Sequence, residues 1–90
     1  MKNAWYTLSE LKERSRIMEY NMIENGERLI ALRGKRKREE VAVAAHISSS
    51  ALTMYELGQR NPRDEVKLAL ASFFGVSVSD IFFPNEVHSK

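Results

Sequence analysis

Apolar residues recur at three- and four-residue steps along most of the chain, and this spacing predicts helices. No strand pattern competes with this helical spacing. The first such stripe is made up of Leu8, Leu11, Ser15, Met18 and Met22. Thr7 and Glu10 stand just before and within it at the spacing of a capping box. The pattern predicts a short amphipathic helix near the N-terminus.

A second helix is predicted from Asn25 to Gly34. Asn25 suits the N-cap, because its side-chain oxygen can accept a hydrogen bond from a free N–H group of the first turn. Leu29 and Leu32 share one face of this helix. Gly34 is placed to end it, since glycine readily adopts the left-handed conformation that follows many helices.

Two short helices with a very short connection follow. The first runs through "REEVAVAAH", with acidic residues in the first turn, where the helix dipole favours them. The second runs through "SSALTMYE", with Ser48 as N-cap and Gly58 as its stop. The predicted inward-facing residues are Val41, Ala42, Ala45, Leu52 and Tyr55. Because only residues 46–48 separate these helices, they are expected to cross steeply as a helix-turn-helix, whose second helix can enter a major groove.

Two more helices are predicted towards the C-terminus. The segment "GQRNP" is predicted to form a turn. The next predicted helix runs through "DEVKLALASFF" and ends at Gly75. Its predicted inward face consists of Val66, Leu70 and Phe74. Ser77 and Asp80 form a second pair at capping-box spacing, which opens a short final helix, and Pro84 prevents a long continuation.

The composition agrees with one small all-α domain. Of the 90 residues, 43% are hydrophobic and 29% charged, and none is cysteine, which excludes disulfides and thiolate metal sites. The longest apolar run, Val41 to Ala45, is far shorter than a membrane span. We therefore expect a cytoplasmic protein without membrane contact. We divide the chain into a helical extension (residues 1–23), a core domain (24–83) and a tail (84–90).

Positive charge is concentrated in the middle of the chain. The formal net charge is only +2, which by itself does not indicate a nucleic-acid partner. Residues 25–62, however, carry seven basic and four acidic side chains, and five of the six residues in "RGKRKR" are cationic. Such a run also occurs on an ordinary solvated loop, but it lies directly before the predicted helix-turn-helix.

Three segments resemble the Cro/Xre class, the phage lambda-repressor-like helix-turn-helix domains. They are "GERLIALRG", "REEVAVAAHISSSALTMYELGQRNP" and "VKLALASFFGVSVSDIF", and they lie within the stretch from Gly26 to Phe82, which is about two thirds of the chain. The pieces "YELGQRNP" and "FGVSVSDIF" are the most specific. The resemblance implies an all-α, five-helix lambda-repressor-like DNA-binding domain, here with an additional N-terminal helix. Its partner would be double-stranded DNA.

The resemblance also implies which residues contact DNA. The positions that read base edges are Ser49, Ser50, Thr53 and Met54. Those that contact the DNA backbone are Arg38, Ser48, Gln59, Arg60 and Asn61, to which the basic loop of this chain adds Lys35, Arg36 and Lys37. A partly buried ion pair between Arg33 and Glu56 is also implied, as a structural feature. It would join the helix from Asn25 to Gly34, the first core helix, to the helix through "SSALTMYE", which is the recognition helix of the family.

The chain departs from the family pattern at several positions. Lys37 replaces the usual Ser or Thr cap of the helix before the turn, and the missing hydrogen bond should cost about 1 kcal/mol. His46 stands where glycine is most common, so a positive φ at this site would carry some strain. Ile30 and Ala31 occupy positions that are usually polar. We expect the N-terminal segment to cover them, either folded back or swapped from a second subunit.

The recognition helix has a simple chemistry. Residues 48–54 include no Arg, Lys, Asn or Gln, the side chains that give bidentate base readout worth about 1–3 kcal/mol each. We therefore expect modest specificity per half-site. The resemblance implies a transcriptional regulator, which we expect to be a repressor that binds a palindromic operator as a homodimer, in a bacterium or encoded by a phage. One alternative is an antitoxin-type interaction module, which binds a protein partner through its N-terminal segment or its tail and whose DNA binding is autoregulatory. Another is an RNA-binding or purely structural helical domain.

Enzymatic chemistry is not expected. His46 lies beside serines, but no acidic residue or oxyanion loop accompanies it, so no catalytic residue is assigned. His46 and His88 are too isolated to form a metal site. We predict no metal and no cofactor.

Overall fold

The computed structural model describes the backbone of residues 8–82 and the side chains of residues 21–82. The chain forms five helices, which are α1 (Leu8–Arg33), α2 (Arg38–Ala45), α3 (Ser49–Glu56), α4 (Asp64–Phe74) and α5 (Val78–Ile81). No strand occurs within residues 8–82. The predicted all-α, five-helix architecture is therefore confirmed. No helix in this part of the chain is long and apolar enough to cross a bilayer.

The predicted break before Asn25 is wrong, because α1 is one continuous helix from Leu8 to Arg33. Asn25 lies inside this helix and is only 8% exposed. Its Oδ1 accepts a hydrogen bond from Nη2 of Arg28 at 2.7 Å. Because the helix continues on both sides of Asn25, this residue is not an N-cap. The predicted N-terminal helix and the first core helix are thus the same element. Thr7 and the tail from residue 84 lie outside the described residues, and the division into extension, core and tail stays a prediction.

The exposed face of α1 is not covered in the way the sequence suggested. Because the helix is continuous, residues 8–22 extend along its axis, beyond the first core residues, and do not fold back over Ile30 and Ala31. Both residues are exposed. The fold-back expectation is therefore wrong for residues 8–22, while residues 1–7 lie outside the described part. A swapped segment from a second subunit remains a prediction.

The middle of α1 packs directly on the end of α3 at two glycines. A Cβ atom on Gly26 would lie 2.2 Å from the carbonyl oxygen of Glu56, closer than real Cβ atoms approach. Gly58, just past α3, has a φ of +74°, and a Cβ there would lie 2.8 Å from Cα of Ile23. Only glycine allows this approach, so α1 and the end of α3 are held at backbone-to-backbone distance.

The core lies where the five helices meet. Its fully buried large side chains are Leu29, Val41, Leu52, Leu70 and Ile81. At roughly 1.5–3 kcal/mol for each fully buried aliphatic side chain, they are the main source of stability. The predicted inward faces of α2 and α3 are all buried. On α4, Leu70 is buried, whereas Val66 and Phe74 are partly buried and pack against the core.

Several helix ends follow the predicted signals. Gly34, Gly58 and Gly75 all have positive φ. Ser77 and Asp80 form the predicted capping box, in which each side chain accepts a hydrogen bond from the other residue's backbone N–H at 3.1 Å. A contact that the pattern did not reveal closes α5, since Nε of Arg28 donates to the carbonyl oxygen of Ile81 at 2.6 Å. This bond ties α1 to the C-terminal end of the fold.

Replacing Gly26 with alanine tests the close approach of α1 and α3. Alanine in a helix interior normally stabilises by about 0.5–1 kcal/mol relative to glycine, but here its methyl group would meet backbone atoms of Glu56. We expect Gly26→Ala to lower the free energy of unfolding by about 2 kcal/mol or more, measured by urea denaturation. Gly75→Ala is the matched control. No neighbour lies within 4 Å of its Cβ position, so only the left-handed backbone opposes it, at roughly 1–2 kcal/mol. A Gly26→Ala protein as stable as the wild type would contradict the packing.

Candidate nucleic-acid interface

The turn between α2 and α3 is a tight left-handed cap. His46 has φ 60° and ψ 41°, the only positive φ of a residue other than glycine among those described. Its N–H donates to the carbonyl oxygen of Val43 at 3.1 Å, and the N–H of Ile47 donates to that of Ala42 at 2.9 Å. The sequence left open whether this site adopts a positive φ, and the structure shows that it does. Histidine tolerates the conformation better than a branched residue would.

Ser48 begins α3 sharply after this turn. Its Oγ accepts a hydrogen bond from the backbone N–H of Ala51 at 3.0 Å, which confirms the predicted N-cap. No acidic residue lies in the first turn of α3. Ser48 and Ser50 are also exposed. The first turn of α3 is thus open to solvent and carries no negative charge, so it can approach a polyanion such as DNA.

The base-reading candidates lie on the outward side of α3. Leu52 and Tyr55 are buried against the core. Ser50 is exposed, and Ser49, Thr53 and Met54 are partly exposed. The hydroxyl of Thr53 donates to the backbone oxygen of Ser49 at 3.0 Å, so its hydrogen is already used within the helix. Its methyl group and lone pairs remain for an external partner, which makes Thr53 a weaker candidate than Ser50.

The basic loop before α2 is exposed, but its cations differ in their contacts. The side chains at positions 35–38 are all exposed. Lys37 occupies the N-cap of α2 in an extended conformation and forms no capping hydrogen bond, as expected. Arg36, by contrast, lies over two rings of α4, 5.5 Å from the centre of Phe73 and 5.9 Å from that of Phe74. It also donates to the carbonyl oxygen of Leu32 at 3.2 Å. Arg36 thus anchors the loop to α4, while Lys35 and Lys37 extend from it.

Glu56 joins the start of α2 to the end of α3. The ion pair implied by the resemblance is confirmed, since Nε of Arg33 lies 2.6 Å from Oε2 of Glu56 and Nη2 lies 3.2 Å from Oε1. A second partner was not foreseen, because Nε of Arg38 lies 2.9 Å from Oε1. The side chain of Glu56 is 1% exposed and that of Arg38 is 42% exposed. No local sequence signal indicates that the two arginines share one carboxylate.

The loop after α3 presents three polar side chains to solvent. Backbone hydrogen bonds from Gly58 and Gln59 to the last turn of α3 fix its course, at 3.1 and 2.9 Å. Gln59, Arg60 and Asn61 are all exposed. Because Arg38 contacts Glu56, this loop and the basic loop lie at the same end of the recognition helix. The leading end, at Ser49, lies about 11 Å away along an eight-residue helix.

The described part of the chain contains no cluster of metal-ligating side chains. Within it, no three His, Cys, Asp or Glu side chains are grouped so that they could hold a metal ion. A shallow apolar groove of about 250 Å³, lined by residues of α1 and the segment around α5, lies away from the turn.

Comparison with known proteins supports the helix-turn-helix. A family model described as helix-turn-helix matches residues 31–81, more than half of the chain. The match begins in the last turn of α1 and includes the whole of α2, α3, α4 and α5. No curated protein and no solved structure matches the chain significantly.

Removing the charge of Glu56 should destabilise the domain more than removing Arg38, its more exposed partner. Glu56→Gln would leave Arg33 in the partly buried site without a counter-charge, and such a change costs about 3–5 kcal/mol. Arg38→Ala removes a half-exposed ion pair and should cost less than about 1 kcal/mol. Glu27→Gln, on the exposed face of α1, is the control and should lie within about 0.5 kcal/mol of the wild type. If urea unfolding gives the same midpoint for Glu56→Gln and Glu27→Gln, the ion cluster does not hold the fold.

Proposed function

Because the chain belongs to the Cro/C1-type helix-turn-helix family of DNA-binding transcription regulators, we propose that it is a repressor that binds a palindromic operator as a homodimer. The observation that carries this proposal is the leading end of α3, which is capped by Ser48, exposed at Ser50 and free of acidic residues in its first turn. A helix of this kind can enter the major groove, while α2 lies across the backbone.

Base readout is assigned to Ser49, Ser50 and Met54, with a smaller role for Thr53. Serine hydroxyls can donate to or accept from several bases, and the side chain of Met54 can contact a thymine methyl group. None of these contacts equals a bidentate pair in discrimination. A single copy would therefore distinguish operators weakly, and this favours two copies on two half-sites, one helical turn or about 34–36 Å apart.

Most of the affinity is assigned to phosphate contacts. The candidates are Lys35, Arg36, Lys37, Arg38, Ser48, Gln59, Arg60 and Asn61, among which Arg36 has the strongest competing contacts within the protein. If each monomer neutralises about five phosphates, log K should fall with log salt with a slope of roughly −4 to −5 per monomer. Repression needs no further contact, since a protein bound over a promoter occludes the polymerase. We place this activity in the cytoplasm of a bacterium, from a chromosomal or phage gene.

A protein-interaction role is the second candidate. On α1, Ile23 and Ile30 are 46% and 41% exposed, and Leu57 is exposed just beyond the end of α3. Large apolar side chains exposed in this region favour contact with another chain. An antitoxin-type module would use that contact for a different protein and keep DNA binding for autoregulation. Co-purification of a second polypeptide at fixed stoichiometry would favour it over the homodimer.

Selection of bound duplexes from a random pool tests the proposal as a whole. We expect a two-fold symmetric sequence with half-sites about one helical turn apart. A gel-shift competition with single-stranded RNA provides the counter-test. The operator-binding hypothesis fails if single-stranded RNA competes for the protein as well as duplex DNA does. It also fails if the selected sites lack symmetry.

Arg60→Ala should weaken binding to all duplexes alike, because a phosphate contact carries no sequence information. We expect the salt slope to fall in magnitude by about 1, measured by fluorescence anisotropy on two duplexes of unrelated sequence. Arg63→Ala removes an exposed cation that we do not assign to the interface, and its effect on the slope should be smaller. A loss of affinity confined to one duplex would contradict the assignment of Arg60.

Replacing Ser49 and Ser50 with alanine should instead change which duplexes are preferred. The salt slope should stay close to that of the wild type, because no charge is removed. Ser72→Ala, an exposed serine on α4, is the matched control. Preferences would be compared by repeating the selection with each variant. An unchanged preference in the double variant would assign readout to DNA shape and away from these hydroxyls.

A further inference from the structure

We propose that Glu56 is a positioning residue for DNA binding, which holds Arg38 by its Nε so that the two terminal nitrogens of the guanidinium remain available for one phosphate. This inference rests on the proposed binding of duplex DNA. The carboxylate of Glu56 is buried and cannot contact DNA itself. It would instead orient the guanidinium of Arg38, which contacts a phosphate at the start of α2.

The geometry of the cluster separates its two arginines. Arg33 holds both carboxylate oxygens, with Nε to Oε2 at 2.6 Å and Nη2 to Oε1 at 3.2 Å. Arg38 uses only Nε, at 2.9 Å from Oε1. The cluster therefore carries two positive charges and one negative charge. Its uncompensated charge lies towards Arg38, since the side chain of Arg38 is 42% exposed and that of Glu56 is 1% exposed.

The free part of Arg38 matches the shape of a phosphate. Within the described residues, no hydrogen bond or ion pair engages Nη1 or Nη2 of Arg38. A guanidinium has five N–H donors in one plane, and two of them on the terminal nitrogens can bind two phosphate oxygens together. Because Nε is already held, the plane of the group is restricted before DNA arrives. Less conformational freedom is then lost on binding than for an unrestrained side chain.

The position of Glu56 links this contact to the recognition helix. Glu56 is the last residue of α3, and its backbone carbonyl lies against Gly26 of α1. Its side chain is fixed by Arg33 of the same helix α1. Arg38 is thereby positioned relative to α3 itself, although it belongs to α2. A phosphate bound at Arg38 would set how deeply the leading end of α3 lies in the groove.

Lysine at position 38 is the first test. Arg38→Lys keeps the charge, but its ammonium cannot hold Glu56 through one nitrogen while offering a planar pair of donors to a phosphate. We expect about tenfold weaker binding to every duplex, with an unchanged salt slope and an unchanged free energy of unfolding. A lysine variant that binds as tightly as the wild type would overturn the proposal, since the charge alone would then suffice.

A double-mutant cycle is the second test. Affinity for one duplex is measured for the wild type, Glu56→Gln, Arg38→Ala and the double variant. If Glu56 acts through Arg38, Glu56→Gln weakens binding about tenfold when Arg38 is present and less than about twofold in the Arg38→Ala chain. The same cycle with Arg60→Ala, which does not touch Glu56, is the control and should be additive.

The outcomes separate this inference from the proposed function. Equal losses from Glu56→Gln in both backgrounds would show a merely structural carboxylate and overturn the positioning role. If circular dichroism shows that Glu56→Gln does not fold, the comparison of Arg38→Lys with the wild type decides alone. A wild-type chain that binds no duplex would overturn the proposed function itself, whereas tight wild-type binding with an additive cycle would overturn only the role of Glu56.

Discussion

A single buried carboxylate, that of Glu56, joins three helices of the domain through two ion pairs. An ionised side chain removed from water is tolerated only when it is paired and hydrogen-bonded, and here two guanidiniums supply the pairing. One guanidinium comes from α1 and the other from α2, while Glu56 itself ends α3. None of these helices can shift far without breaking a short ionic contact. The relative orientation of the helix-turn-helix and its supporting helix is thus fixed by charge as well as by apolar packing.

Backbone packing at the same end of α3 adds to this constraint. Gly26 and Gly58 allow α1 to approach the end of α3 without intervening side chains. The other end of α3 is defined by the Ser48 cap and the left-handed turn at His46. One end of the recognition helix is therefore clamped within the domain, and the other is presented to solvent. Such a division suits a helix that must be held rigidly while its first turn meets a ligand.

Much of the site could be predicted from local sequence, because caps and turns depend on residues only a few positions apart. Ser48, Ser77 and the glycines that end helices act through hydrogen bonds and dihedral angles within one turn of the chain. Asn25 shows where such reasoning fails. Its side chain is of a type that caps helices well, yet the helix continues through it, with Asn25 buried and Gly26 packed against the backbone of Glu56. Tertiary contacts overrode a local signal of moderate strength.

Residue type and short-range spacing were enough to predict the helical class, the position of the turn and the concentration of positive charge before α2. They also set the chemical character of the recognition helix α3. Helix packing settled what this spacing could not, and α1 is one helix. Arg36 lies over Phe73 and Phe74, and Arg38 shares Glu56 with Arg33, which are contacts between residues 18 to 38 positions apart in the chain. Which distant side chains meet is set by how whole helices pack, and no periodicity within a single helix encodes that.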